Sequence, residues 1–318
     1  MTRRDLTRAA FVALAMFSFN AQGGEAAQAK AFAFKNDDAV VLLGSTVIER
    51  EQHYGYFESW LQLAEPDKTL SVRNLGWSGD TVFGHARSYF GPPEEGIQRL
   101  TAHLEMLKPS VMILCYGSEL AHEGLGGVPE FLKGYRALLD LIREKSPGVR
   151  LIIASPPPLE NLAPPLPDQQ GPNKNLAGLS AELAKFSQSQ NAYFVDWFAV
   201  MGGVPPAGLA ARPLTENGIH YTEAGYQKLA STLIAGLGLK TPDVPTTALE
   251  PLRKQIVAKD TLFFDRWRPQ NETYLFGFRK HEQGQNAKEI PMFDPLIATA
   301  DKKIQELKAT VLASAKRP

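Results

Sequence analysis

The chain has a single cysteine, Cys115, in 318 residues. That count excludes a disulfide framework and a cysteine-based zinc site. Cys115 falls inside an apolar run, where a lone thiol serves as buried filler. Excess charge is missing too: 34 Lys and Arg face 34 Asp and Glu, for a formal net charge of +0. No global field then recruits nucleic acid or an anionic membrane, so neither is expected as a partner. No stretch reaches the ~18 consecutive apolar residues of a membrane span. No glycine-rich segment follows a strand at phosphate-loop spacing, and no nucleotide cofactor is expected. The six histidines are scattered. His122 with Glu119 and Glu123 is the one local group of ligand types, and a solvated helix start accounts for it, so no metal is expected either.

What is present suits a large folded domain, since 44% of the residues are hydrophobic, enough for a sizeable core. The first residues combine Arg3, Arg4 and Arg8 with an apolar run from Ala9 to Phe19 and the small-residue site Ala27-Gln28-Ala29. This pattern predicts a cleaved signal peptide over 1–29 and a secreted or periplasmic mature protein. Beyond it, strands and helices alternate. Apolar runs at Ala39–Leu43, Thr69–Leu75, Ser110–Tyr116, Val149–Ala154 and Ala192–Trp197 read as strands. Helical spacing marks Gln52–Leu63, Glu94–Leu107, Phe131–Arg143, Leu176–Phe186 and a helix ending near Leu237. The alternation predicts an α/β fold, a three-layer α/β/α sandwich around a five-stranded parallel sheet, over 30–240. Pro156 to Pro172 is too rich in proline for regular structure and is expected to be a loop. Residues 241–318 form a helical extension, expected to pack on the sandwich because it is short for a separate domain.

In such a sheet ligands bind beyond the carboxyl ends of the strands. The polar clusters of this chain fall there. His220 sits between the polar run Thr215-Glu216-Asn217-Gly218 and a helix start at which Thr222 caps and Glu223 occupies the first turn. An imidazole on a loop held by a rigid element suits a general base. Two hydroxyls, Ser45 and Thr46, follow Gly44 at the end of the first strand. Either could act as a nucleophile if a base reaches it, and both serve as well as caps of the next helix.

Four blocks in this order resemble the SGNH, or GDSL, hydrolase family. Gly44-Ser45-Thr46 stands where the family has Gly-Asp-Ser, which puts Thr46 in the nucleophile's place and Ser45 in that of the aspartate. Asn74-Leu75-Gly76-Trp77-Ser78-Gly79-Asp80 matches the second block, and the resemblance assigns the Gly76 N–H to an oxyanion. The third block is Gly117-Ser118-Glu119-Leu120, where the family has Gly-x-Asn-Asp. An ionised Glu119 donates nothing there. The fourth, Asn217-Gly218-Ile219-His220, keeps the histidine and replaces its orienting aspartate by Asn217, with Glu216 one residue upstream as a substitute acid. The resemblance implies an esterase acting on a small-molecule or carbohydrate ester, without cofactor. The changed blocks leave open a catalytically inactive module that binds a glycan or a partner. The longer form, with GSTxIER after the first strand and RWRPQNETYLFGFRKHEQG in the tail, resembles SGNH-like domains of secreted or envelope proteins in planctomycete-type bacteria. The aromatics and arginines of that tail suit either a sugar or acidic group, or anchorage of the extension to the core.

Overall fold

The computed structural model describes residues 31–89, 91–204 and 212–315. The predicted signal peptide, 1–29, lies outside them. Five strands are present among the described residues: β1 (Asp38–Gly44), β2 (Leu70–Asn74), β3 (Val111–Cys115), β4 (Arg150–Ala154) and β5 (Tyr193–Val195). All pair in parallel, in the order β2-β1-β3-β4-β5. β3 is apolar and buried at every residue, as expected of a central strand covered on both faces. β2 alternates buried and half-buried positions, which suits an edge.

The helices are α1 (Thr46–Glu51), α2 (Tyr56–Ala64), α3 (Pro93–Leu107), α4 (Leu120–Glu123), α5 (Val128–Lys145), α6 (Gln170–Ser189), α7 (Trp197–Val200) and α8 (Glu223–Gly236). The extension adds α9 (Thr246–Trp267), α10 (Glu272–Leu275), α11 (Lys280–Gln283) and α12 (Phe293–Ala315). Two apolar clusters fill the sandwich, one on each face of the sheet. Val40 and Leu42 of β1 belong to one, Val41 and Leu43 to the other, following the period of two along a strand.

Two helices differ from the sequence expectation. The helix expected over Gln52–Leu63 begins only at Tyr56, as α2, and α1 occupies Thr46–Glu51 ahead of it; Gly55 takes a φ of 70° between them, a left-handed conformation that glycine adopts without cost. Helix α6 starts at Gln170 rather than Leu176, so the proline-rich loop ends earlier. Pro172 lies in its first turn, where the missing N–H has no helical partner to lose.

The extension lies on the β2 side of the sheet, with α9 against α2 and β2 and α12 along α9. Edge carbonyls of β2 find donors on α9 and α2. Lys259 Nζ on α9 donates to Val72 O at 2.9 Å, and Gln62 Nε2 on α2 donates to Leu70 O at 2.9 Å. Covering an edge in this way blocks pairing with another chain.

Glu51, at the end of α1, is 2% exposed. Its Oε1 accepts from the Phe57 N–H at 2.5 Å, while Oε2 has no partner among the described residues. Burial raises its pKa well above the carboxylate range, and the charges of Asp260 and Glu58 add to the rise, against the Phe57 N–H and Arg253. The folded state therefore holds a proton that the unfolded state releases above its ordinary value of 4.5. Stability falls as pH rises from there toward the folded value. Glu51→Gln removes this slope. Urea midpoints are expected to match at pH 4 and to favour the variant at pH 8; a variant weaker than its parent at pH 8 contradicts the assignment.

Candidate active site

The strand order reverses direction between β1 and β3, the place where open α/β sheets bind ligands. A pocket of about 70 Å³ lies there. Ser45 and Thr46 line it from the end of β1, Tyr116 and Ser118 from the end of β3, and Ile219 and Tyr221 from the turn before α8. Ser45 occupies the cap position of α1, yet its side chain makes no capping bond. The capping role open to it in the sequence is not the one it fills. The N–H groups of Thr46 and Val47, in the first turn of α1, find no acceptor among the described residues, as expected of a helix start without a side-chain cap.

The turn that carries His220 is held by the loop after β4. Glu160 accepts from Leu214 N–H at 2.9 Å, Thr215 N–H at 2.7 Å and Thr215 Oγ1 at 2.6 Å. Its own N–H donates to Gly218 O at 2.9 Å. Tyr221 Oη donates to Pro158 O at 2.6 Å, and an antiparallel bridge joins Thr215 to Tyr221. The expected cap is present, since Thr222 Oγ1 accepts from Gly225 N–H at 3.3 Å. His220 is half-buried between two residues that line the pocket. Its imidazole is absent from the pocket wall itself, and no hydrogen bond joins it to Ser45 or Thr46.

Asn217 decides the chemistry of this imidazole. Its Oδ1 accepts from Ile219 N–H at 3.1 Å and His220 N–H at 2.9 Å, which fixes the orientation of the amide. Nδ2 then faces His220 Nδ1 at 3.2 Å. An amide NH₂ only donates, so Nδ1 must accept, and in the neutral ring the proton sits on Nε2. That tautomer offers a hydrogen where a general base needs a lone pair. Glu216 does not take over as orienting acid. It is 53% exposed and pairs with Arg50 of α1 at 3.2 Å.

Gly76 departs from its assigned role as well. Its N–H donates to Asn74 Oδ1 at 2.8 Å, and Asn74 Nδ2 donates to Ile48 O at 2.6 Å. A side chain at Gly76 would put its Cβ 2.2 Å from the Glu49 backbone nitrogen. Glycine is required because the loop after β2 presses on α1. Gly117 has a φ of 105° as the chain leaves β3. Glu119 is absent from the pocket wall, where Ser118 stands beside it. Burial raises the Glu119 pKa and the charges of Glu123 and Asp80 add to it, while its own N–H and that of Gly117 draw it down. The neutral acid, which can donate where the carboxylate cannot, therefore persists to higher pH than in an ordinary glutamate.

Sequence reasoning missed Glu160, one of two carboxylates in the proline-rich stretch, and that placement is the one signal it offered. Tyr116, Ile219 and Tyr221 line the pocket without having been singled out in the sequence. Asp80 closes the second block: it is buried with Arg87 at 2.7 Å and accepts from Tyr116 Oη at 3.0 Å. No group of three potential metal-ligating side chains occurs among the described residues, and no described helix is long and apolar enough to cross a membrane.

Comparison with known proteins agrees with this architecture. A solved structure described as a GDSL-like lipase from Parabacteroides merdae is 18% identical, with a TM-score of 0.51, covering 66% of this chain and 100% of its own. BT4096, described as a gut microbial diltiazem-metabolizing enzyme, is 11% identical with a TM-score of 0.56, covering 87% of this chain and 96% of its own. A catalytic mutant of Axe2, an acetylxylan esterase from Geobacillus stearothermophilus, is 19% identical with a TM-score of 0.49, covering 66% of this chain and 98% of its own. Among curated proteins no relative matches. The model of the GDSL-like lipase/acylhydrolase family matches residues 35–228, and the chain belongs to that family.

Proposed function

We propose that this chain hydrolyses a short-chain ester, with an acyl group on a carbohydrate as the substrate class, and does so slowly because its imidazole rests in the unproductive tautomer. The observation that carries this reading is the pocket between β1 and β3, into which two uncommitted hydroxyls open beside the His220 turn. At about 70 Å³ it is under half the ~150 Å³ that holds a benzene ring. An acetyl-sized group fits and a fatty chain does not.

In the reaction, the Thr46 or Ser45 oxygen adds to the ester carbonyl as its proton passes to His220 Nε2. The carbonyl oxygen gains the negative charge, and the first-turn N–H groups of α1 are the donors placed to meet it. The bond to the leaving alcohol breaks, the imidazolium returns the proton to that oxygen, and water releases the acyl group by the same steps in reverse. For Nε2 to accept at all, the ring must first move its proton to Nδ1 and break with Asn217. The basic and apolar N-terminal segment supports export of the mature protein.

The Asn217 geometry also favours a second reading, an ester-binding module that does not turn its ligand over. A fluorophosphonate probe followed by peptide mapping separates the two. Hydrolysis predicts an adduct on Thr46 or Ser45, and faster release from acetyl than from octanoyl aryl esters. An unlabelled protein that still retains an acetylated saccharide belongs to the binding class.

A further inference from the structure

A second hollow lies where α3, the loop after β2 and the extension meet. It measures about 260 Å³, and its wall includes Trp77, Arg99, His103, Arg266, Trp267 and Arg268. None of its lining residues borders the Ser45/Thr46 pocket. It shares Tyr89, Arg99, Glu272 and Phe276 with an adjoining hollow of about 230 Å³. The trough they form is of a size with the ~300–1,000 Å³ of small-molecule sites.

Arg99, Arg266 and Arg268 line this wall, with Glu272 as the carboxylate among the lining residues. Each has a carboxylate neighbour, Arg99 with Glu272, Arg266 with Asp294 and Arg268 with Glu49. The pairing uses little of Arg268, which donates to Glu49 Oε1 from Nη1 at 3.2 Å, while its Nε and Nη2 have no partner among the described residues. Its guanidinium lies 3.7 Å from the centroid of the Trp77 ring, and that of Arg99 lies 4.6 Å from Tyr89. Trp267 is 6% exposed, and its Nε1, like His103 Nδ1 and Arg99 Nε, has no partner among the described residues. These three atoms are sealed from solvent; the donors open to a ligand are Nε and Nη2 of Arg268 and Nη2 of Arg99, which have no partner among the described residues.

His103 reports the local field. Burial pushes its pKa down to about 4, and the charges of Arg87, Arg99 and Arg266 push it further, against a backbone bond to Trp267. The imidazole is neutral at physiological pH in positive surroundings. Anchorage of the extension explains aromatic packing such as the 5.6 Å edge contact of Trp77 with Trp267. It does not explain why Arg268 and Arg99 stand there with donors unspent.

We propose that this trough binds a six-membered ring bearing one carboxylate, with the ring against the exposed Tyr89 and Phe276 and the carboxylate on Arg268 and Arg99. A guanidinium fork matches a carboxylate in geometry, and aromatic walls match the apolar face of a ring. One negative charge suits arginines that are already partly compensated; a dianion does not. The site is independent of the ester chemistry at Thr46.

The test is a titration of the full chain followed by tryptophan fluorescence and ligand-observed NMR. The probes are glucuronate, benzoate, glucose and inorganic phosphate. Saturable binding of glucuronate or benzoate is expected, with glucose and phosphate about tenfold weaker or worse. Tighter glucuronate identifies a saccharide acid, tighter benzoate an aromatic acid. Arg268→Gln and Arg99→Gln each weaken the acid by about tenfold or more, with circular dichroism unchanged. If Arg268→Gln does not fold, Arg99→Gln decides alone. Thr46→Ala leaves the titration unaltered, so this result stands apart from any outcome for ester hydrolysis. Absence of saturable binding by either acid, equal affinity for glucose or phosphate, or parental affinity in the folded arginine variants overturns the proposal.

Discussion

Asn217→Asp raises the rate of ester hydrolysis, by on the order of 10²–10⁴-fold in kcat/KM, the range spanned when a catalytic imidazole is moved between its wrong and right tautomers. The substitution exchanges one NH₂ for an oxygen and keeps the volume. Oδ1 still accepts from the N–H groups of Ile219 and His220, so the turn keeps its shape. The other oxygen, 3.2 Å from His220 Nδ1 in the parent, becomes an acceptor. Nδ1 then carries the proton, Nε2 is left with its lone pair, and the new carboxylate stabilises the imidazolium that forms. The gain must vanish in Asn217→Asp with His220→Ala, because the acid acts only through the ring. Initial rates on an acetyl aryl ester for the parent and both variants decide the matter. If Asn217→Asp is no faster than the parent, the tautomer is not what limits turnover, and the binding module becomes the better account. Glu119 adds a pH signature. Its raised pKa makes the neutral, donating acid available at higher pH than an ordinary glutamate would be, so any assistance it gives the oxyanion fades as pH climbs through that value.

Much of this was legible in the residues, and what was not has physical causes. β1 and β3 announce themselves as continuous apolar runs because both faces are covered. The His220 turn was visible because Asn217, Gly218 and Thr222 are turn and cap residues with known local bonds. The same local chemistry hid two facts. Asn74 stands two residues before Gly76, the spacing at which an Asn side chain captures a backbone N–H, and that captured N–H was assigned to the oxyanion. Glu216 is adjacent in sequence to Asn217, but the bridge between Thr215 and Tyr221 turns its side chain toward Arg50. The start of α2 at Tyr56 rather than Gln52 went unseen because Tyr56, Phe57, Trp60 and Leu63 all lie beyond Gly55, and periodicity does not register one left-handed residue. Glu160 acts 54 residues from its partner Leu214. Only the folded chain shows a pairing at that separation.

Lys259→Met is the severest test of how far the extension belongs to the fold. Lys259 is 0% exposed, and its Nζ donates to Glu58 Oε2 and Asp260 Oδ1, both at 2.6 Å, as well as to Val72 O. Burial alone would lower its pKa, but Asp260 and Glu58 raise it above the ordinary value. Methionine fills the space and leaves two buried carboxyls facing each other, with Arg73 as the cation still near them. Breaking a buried pair by removing one partner costs about 3–5 kcal/mol. At about 2–4 °C per kcal/mol for a domain of this size, Tm falls by roughly 6–20 °C. The loss depends on pH with a definite sign. Burial already raises Glu58 from 4.5 to about 7, against the pull of Lys259, and removing the lysine raises it further. The folded variant binds a proton that the unfolded chain gives up, so its stability falls as pH rises between those values. The deficit is therefore smaller at pH 5 than at pH 8, and Glu58→Gln in the same chain recovers part of it at pH 8. A melting curve within 2 °C of the parent at pH 8, on the order of 1 kcal/mol or less, would mean that α9 rests on the β2 edge without stabilising it. The expected loss means that the sandwich and its extension melt together, because the charge that neutralises α2 and caps the edge of β2 comes from the extension.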